Sequence, residues 1–351
     1  MFLNRWWKRI TNWESWPFKL LYAPLLPFWI GYMLRSRKVW FFTSSNPKIT
    51  FGGMDGESKS EIYDLMKKDW YPKTIYIEPG ESLDIIQNKL TTSSISFPFV
   101  VKPDVACQGI LFRKIDQLQQ LVEYHAFSPA RYLIQELVSY PMEVSVFYIR
   151  HPQSEKGEIT GFLHKIPMQI LGDGILSVGQ LIEQHPKAAK RMDEMKNKHG
   201  HNWNTILAKD ERYMLSHAGN HNRGARFVDL KHEIDDQMTD MFDKMSVEVG
   251  DFFYGRYDIM CQSVSDLKQG KNFIILEYNG CGAEPNHFYD TGYTLMGAYR
   301  EILKHWKWLY KISAHNAKNC APVWSFTKGI KFIRKTVEHY RILREADNKL
   351  I

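Results

Sequence analysis

Two short runs in the second half of this 351-residue chain carry residue types that do chemistry together. Gly255-Arg256-Tyr257-Asp258-Ile259-Met260 and Ile275-Leu276-Glu277-Tyr278-Asn279-Gly280 each read as a strand, and side chains two apart on a strand share a face. Arg256 then shares a direction with Asp258, and Glu277 with Asn279. Residues 261–273 between them hold Ser, Asp, Lys, Gly and Asn, the punctuation of a hairpin. If the strands pair antiparallel, three hard oxygen ligands converge beside a guanidinium. That set suits Mg²⁺ with nucleotide phosphates, because Mg²⁺ takes few protein oxygens and completes its octahedron with phosphate and water. The same residues also read as a surface hairpin with solvated charges. Against that, Asp258 and Glu277 lie inside apolar runs, where an unpaired carboxylate is costly.

Stepping outward, the composition is that of an ordinary globular protein, 44% hydrophobic and 24% charged, long enough for one large or two ordinary domains. The four cysteines, Cys107, Cys261, Cys281 and Cys320, form no CxxC or Cys/His pattern. A reducing, cytoplasmic setting fits and structural zinc on thiolates does not. Cys281 reads as a small residue in a tight turn.

The net charge of +7 is concentrated at the front. Residues 1–42 carry Arg5, Lys8, Arg9, Lys19, Arg35, Arg37 and Lys38 against Glu14 alone, with six of the eleven tryptophans. Cationic and aromatic residues flanking the apolar run 20–34 are what a bilayer interface selects. Fifteen residues broken by Pro24 and Pro27 are too few to span a bilayer, and no cleavage pattern marks a signal peptide. Residues 1–45 therefore read as an interfacial segment, peripheral at the inner face of a membrane. The other reading is an arm packed on the body or at a homodimer interface. No basic stripe elsewhere points to nucleic acid.

Along the chain, periodicity predicts helices over 59–69, 82–90, 115–125, 178–185, 231–248 and 292–313, and strands over 75–77, 97–103, 131–138 and 143–149. Residues 186–213 read as a long polar excursion. A last helix over 328–346 is basic on one face and is expected to be peripheral. Strands and helices alternate without a βαβ period, which predicts α+β layers.

The order of motifs over about residues 55–315 resembles the ATP-grasp superfamily, specifically carboxylate-amine ligases such as D-alanine-D-alanine ligase and cyanophycin-synthetase-type domains. The residues that carry it are Glu57-Ser58-Lys59, Pro72-Lys73-Thr74, Phe97-Pro98-Phe99-Val100-Val101-Lys102-Pro103, the loop Ala106-Cys107-Gln108-Gly109, Leu133-Ile134-Gln135-Glu136-Leu137-Val138, Glu143, Gly172-Asp173-Gly174, and Arg256, Asp258, Glu277 and Asn279. The resemblance implies two α+β lobes gripping ATP, with a nucleotide-binding lobe at about 97–185, a metal-site lobe at about 215–315, a grasp domain over 46–315 and a helical extension over 316–351. It implies that Lys59, Lys102 and Gly109 meet the phosphates, that Gln135, Glu136 and Val138 border the adenine, and that Glu143 meets the ribose. Asp258, Glu277 and Asn279 would hold one or two Mg²⁺, or Mn²⁺ in its place. The catalytic arginines would be Arg256 and, from the loop between the GDG element and the metal strands, Arg223, which also reads as part of a structural loop. Glu284 and His287 could bind an amine substrate or take its proton, or cap the following helix.

A carboxylate becomes a good acyl donor once the ATP γ-phosphate converts it to an acyl phosphate, which an amine can then attack. Two lysines, an arginine and Mg²⁺ neutralise what must meet there. The expected activity is an ADP-forming ligase of small-molecule or lipid-linked carboxylate and amine substrates. The alternatives are a kinase that stops at phosphorylation and a non-catalytic nucleotide-binding protein. Ligases of this resemblance have an α/β domain before the first lysine, whereas only about 58 residues precede Lys59. That predicts a truncated or missing pre-grasp domain.

Overall fold

A computed structural model describes residues 13–107, 109–216, 219, 221, 224–250, 252–319 and 321–349. Two antiparallel sheets dominate it, and the fold class is α+β as expected. In the first sheet the order is β1 (Thr74–Ile77), β4 (Tyr132–Glu136), β2 (Phe99–Pro103), β3 (Arg113–Ile115). One face is covered by α4 (Leu83–Thr92) and α5 (Leu118–Phe127), which place Ile86, Leu90, Leu121 and Tyr124 against Phe99, Val101 and Ile134. Both helices begin where sequence periodicity turns apolar every three to four residues, and Ser82 caps α4 by accepting from the Ile85 amide.

The second sheet runs β11 (Phe273–Asn279), β10 (Tyr254–Cys261), β5 (Met142–Ile149), β6 (Glu158–Ile166), β9 (Arg226–Asp229). Residues 142–166 form its central strands, so part of the stretch 97–185 shares a sheet with the strands of 254–279. Paired on both edges and covered on both faces, β5 and β6 belong in the middle of a sheet. One face packs on α8 (Asp236–Val249) through Val144, Val146, Tyr148 and Tyr257 against Met238, Phe242 and Met245. The other meets α10 (Leu295–Asn319), with Phe147, Ile149 and Tyr254 clustered with Leu309 and Ile312. A smaller unit, β7 (Gln169–Leu171) with β8 (Arg212–Met214), α6 (Val178–Gln184) and α7 (Met192–His199), has its own core around Met168, Ile170, Val178, Ile182 and Met195. The expected polar excursion thus holds a helix and a strand. Met195 and Leu207 are its buried anchors, too far apart in sequence to show a period.

The C-terminal helix α11 (Phe326–Asp347) is not peripheral. Its Tyr340, Leu343 and Ala346 join the core of the first sheet. It also holds the loop after β2: His339 Nε2 is 2.8 Å from the Val105 carbonyl, and the Leu111 amide donates to Asp347 at 3.1 Å. The basic face misled because it is the solvent side of an amphipathic helix, whose apolar stripe is the informative part.

At the front, α1 (Phe18–Tyr22) and α2 (Leu26–Ser36) lie on the body. Trp29 meets Phe41 and Trp306, Tyr32 stacks on Tyr310 at 4.8 Å, and Leu25 is buried with Phe288 and Ile302. No described helix is long and apolar enough to cross a membrane.

Candidate functional site

The register of β10 and β11 sets Asp258 directly opposite Glu277 and Arg256 directly opposite Asn279. The convergence expected from the i, i+2 spacing is therefore the cross-strand pairing itself. The connection between the strands is longer than a hairpin turn, since α9 (Val264–Lys268), capped by Ser263, fills it.

Around Asp258 the charges are tightly matched. Arg256 donates to both carboxylate oxygens at 3.3 and 3.1 Å, Asn279 Nδ2 donates to Oδ2 at 3.2 Å, and Lys165 Nζ lies 2.9 Å from Oδ1. Lys165 also reaches Glu143 at 3.0 Å, its register partner on β5. Burial works against ionising Asp258, yet Arg256 and Lys165 together hold its carboxyl well below the usual range. The same network holds the Lys165 ammonium above its ordinary value in spite of burial. Sequence reasoning missed Lys165 because β6 is covered on both faces and shows no alternation. The available signal was a lysine inside the run Phe162-Leu163-His164-Lys165-Ile166, two residues before Pro167.

Glu277, by contrast, makes no side-chain hydrogen bond or ion pair among the described residues. Lys102, at the end of β2 in the first sheet, approaches it from the facing side. Its Nζ lies 3.4 Å from Tyr63 Oη and 3.5 Å from the Leu276 carbonyl, which accepts from Tyr63 at 2.6 Å. Burial pushes the Lys102 ammonium down to about 8, opposed by the charge of Glu277. Tyr63 comes from α3 (Lys59–Asp64), whose Ser60 amide and hydroxyl both donate to Asp104 at 2.8 Å. Lys59 opens that helix and donates to the Ala106 carbonyl at 3.0 Å, so it lies on the small-residue loop that ends at Gly109, where φ is +72°. Just before it, Glu57 keeps one carboxylate oxygen buried without a partner, and burial raises its carboxyl to about 7. The sequence reading named Glu57 only as Lys59's neighbour.

Other expected residues sit as follows. Gln135 is turned into the interior, where Nε2 donates to Thr74 at 2.7 Å, and Glu136 accepts from the Lys73 amide at 2.9 Å. Val138 follows the end of β4, half-buried. Glu143 lies against Lys165 and beside Gly219, where an added Cβ would fall 2.3 Å from its oxygens. Arg223 lies outside the described residues. In the GDG element, Asp173 accepts from the Ile175 and Leu176 amides, a turn that leads into the capping box of α6.

The turn after β11 is built against Gly52 and Gly53. The Cys281 and Gly282 amides donate to the Gly52 and Gly53 carbonyls at 3.1 and 2.9 Å. Gly53 has φ of +73°, and a Cβ there would fall 2.7 Å from Gly280 Cα. Those two amides are thus committed to the fold. Glu284 is half-buried, with its carboxylate accepting from Tyr22 at 2.8 Å and Tyr289 at 3.0 Å while its carbonyl accepts from Arg256 at 3.2 Å. Tyr22 ties the N-terminal segment to this edge of the site. His287 does not stand with Glu284; it is only 5% exposed, packed against Gly161, Glu301 and His305.

No protein-family model matches the chain, and no curated protein matches it. Among solved structures the chain is similar to a D-alanine–D-alanine ligase from Bacillus anthracis, at 11% identity and a TM-score of 0.42, covering 74% of this chain and 68% of that one. It is also similar to the VanG D-Ala:D-Ser ligase from Enterococcus faecalis, at 12% identity and 0.41, covering 74% and 62%. A bifunctional glutathione synthetase from Pasteurella multocida is similar at 14% and 0.38, with 70% of this chain matched to only about a third, 36%, of that one. Each of these three proteins is a ligase or synthetase by its own name. At these scores, what the chain does has to be read from its own side chains.

Proposed function

We propose that the chain is a Mg-ATP-dependent ligase that activates a carboxylate as an acyl phosphate and joins it to an amine. The observation that carries this reading is that Lys102 Nζ of the first sheet lies 3.5 Å from the Leu276 carbonyl of the second, one residue before Glu277, whose charge acts on the buried ammonium. A cation on one lobe and an unengaged carboxylate on the other suit a polyphosphate with its metal bound between them.

The donor set fits Mg²⁺. Glu277 and the Asn279 side-chain Oδ1 are hard oxygens with no hydrogen-bond donor among the described residues, and Asp258 lies directly across from Glu277. Bound there, the ion would neutralise charge on the phosphates. Lys59, Lys102 and the loop to Gly109 hold the phosphates in this reading, with Gln135, Glu136 and Val138 along the adenine and Glu143 toward the ribose. Arg256 stabilises charge on the transferring phosphoryl group, and Arg223 assists from its loop. Lys165 is a positioning residue: it fixes Asp258 and Glu143 without needing to touch substrate. Glu57, with its carboxyl near 7, is suited to take the proton of the attacking amine at neutral pH.

The substrate is read as membrane-presented. Along α1 and α2 the inner face packs on the body, while Phe18, Leu20, Leu26, Phe28, Ile30 and Leu34 stay exposed, and Phe18 and Leu34 are 66% and 73% exposed. A surface helix that is apolar on both sides has a face left to cover. Exposed Lys19, Arg35, Arg37 and Lys38 lie along it, the composition of a segment that lies in an anionic interface.

ADP and phosphate release from the full chain with Mg-ATP, amino acids and a membrane-lipid extract tests this, with Glu277→Gln as blank. Phosphate release that needs the lipid and is lost in the variant supports the ligase. Phosphate retained on an organic product would instead identify a kinase, and release with amino acids alone would remove the lipid from the reading. Phe28→Ser with Leu34→Ser should lower binding to anionic vesicles while soluble ATP turnover stays unchanged.

A further inference from the structure

On the same face of the second sheet as Lys165, four residues earlier on β6, lies a second polar cluster with different chemistry. At about 3.3 Å per strand residue the two are roughly 13 Å apart. His287, from the turn after β11, packs so closely on the sheet that a Cβ on Gly161 would fall 2.1 Å from its Nδ1. Glu301 and His305, one turn apart on α10, present their side chains to it from one helix face. One nitrogen from each imidazole and one oxygen from Glu301 all lie within 4.8 Å of one another. Glu301 Oε1 is 3.3 Å from His287 Nε2 and 3.3 Å from His305 Nδ1.

Among the described residues neither ring nitrogen of His287 makes a hydrogen bond of good geometry, although the residue is almost wholly buried; its polar neighbour is Glu301 Oε1, 3.3 Å from Nε2. A buried polar ring so poorly satisfied is costly unless something absent from the polypeptide engages it. His305 is completely buried. The Glu301 carboxylate thus faces two buried imidazoles, and a cation between the three groups would balance its charge. The far side of His305 is prepared for this. Nε2 is 2.8 Å from Thr160 Oγ1, and Thr160 sits at the irregularity where the β5–β6 register shifts. Nδ1 lies 2.8 Å from the Glu301 backbone carbonyl, which can only accept, so the metal-free ring carries its proton there; for Nδ1 to take a cation that proton must leave, and Thr160 Oγ1 then accepts from Nε2–H in the tautomer that remains. Metal-binding histidines are commonly fixed by such a bond from the other nitrogen.

We propose that His287, Glu301 and His305 form a binding site for a borderline-soft divalent cation, Zn²⁺ by its donor set, independent of the Mg²⁺ ligands. Two imidazoles and a carboxylate are a common zinc set, whereas Mg²⁺ prefers oxygen alone. Glu301 keeps its side chain 18% exposed, which leaves an entry for the ion and a water as fourth ligand. Zinc there would tie the turn after β11 to α10 and β6. Since that turn also carries Glu284 and follows Asn279, the ion would act on the catalytic edge through the backbone.

The test uses the full chain, stripped by chelator and then given Zn²⁺ in excess Mg²⁺ so that the oxygen ligands are saturated. The expected result is about one zinc per chain with two imidazoles in its X-ray absorption spectrum, a raised thermal midpoint, and the same zinc content in Glu277→Gln. Glu301→Gln, checked for folding by circular dichroism, should bind at least tenfold more weakly. Zinc without imidazole in its first shell, an unshifted midpoint in the wild-type chain, or unchanged binding by folded Glu301→Gln would overturn the proposal. The wild-type spectrum decides the matter even if the variant does not fold.

Discussion

The two polar clusters on one face of the second sheet solve the problem of buried charge in opposite ways. Around Asp258, two cations and an amide saturate a single carboxylate, and Lys165 is shared with Glu143. Around Glu301, one carboxylate meets two buried imidazoles, and among the described residues His287 makes no hydrogen bond of good geometry. The first cluster is complete as protein and leaves its neighbour Glu277 open. The second is incomplete as protein. The contrast teaches that a fully paired buried network positions groups for chemistry next door, while an under-paired one points to a missing constituent.

The sharpest way to break this contrast is to remove Lys165. Lys165→Met leaves Asp258 and Glu143 buried with one cation fewer, and unfolding by urea should show a loss on the order of 3–5 kcal/mol. A loss under about 1 kcal/mol would mean that these charges are solvated, as surface pairs are. Next in size, Glu277→Gln should lower ATP turnover by roughly two to three orders of magnitude, the scale of losing one charge-stabilising group. Its urea midpoint should move far less than that of Lys165→Met, because no described side chain hydrogen-bonds or ion-pairs with Glu277.

Thr160→Val sharpens the other half of the comparison. It removes the partner of His305 Nε2 at nearly constant volume, and zinc affinity measured by competition with a chelator should fall about 10- to 100-fold. The smallest effect concerns Lys102, which lies against Tyr63 and the Leu276 carbonyl. Its folded value of about 8 lies below that of a free lysine, so the unfolded chain binds more protons between about pH 8 and 10.5. The Lys102 contribution is therefore a cost carried in full below about pH 8, and stability rises as pH increases through that window. ATP affinity should move the other way, weakening as Lys102 loses its proton. Titration calorimetry from pH 7 to 9 checks this, and a flat affinity profile for wild type would remove Lys102 from the phosphates.

Much of the frame was legible beforehand. β10 and β11 could be read because carboxylates inside β-branched and aromatic runs are rare enough to demand an explanation, and their i, i+2 spacing fixes a common face. The helices α4, α5 and α8 and the strand β2 followed from period and caps. β6 was missed because burial on both faces erases alternation, and with it went Lys165. α11 was misjudged because its basic side is conspicuous in sequence while Tyr340, Leu343 and Ala346 are not.

The N-terminal segment divides the same way. Its tryptophans and cations announced an interfacial stretch, but that Trp29, Tyr32 and Leu25 would spend one face on the body, with Tyr22 reaching Glu284, depends on partners some 260 residues away. By itself the sequence determined which residues had chemistry to offer and which of them shared a strand face, because those properties are local to a few bonds. Only tertiary structure decided that Lys165 completes Asp258, that Lys102 reaches the Leu276 carbonyl beside Glu277, and that His287 belongs with Glu301 and His305, because register and packing bring together groups whose separation along the chain carries no signal.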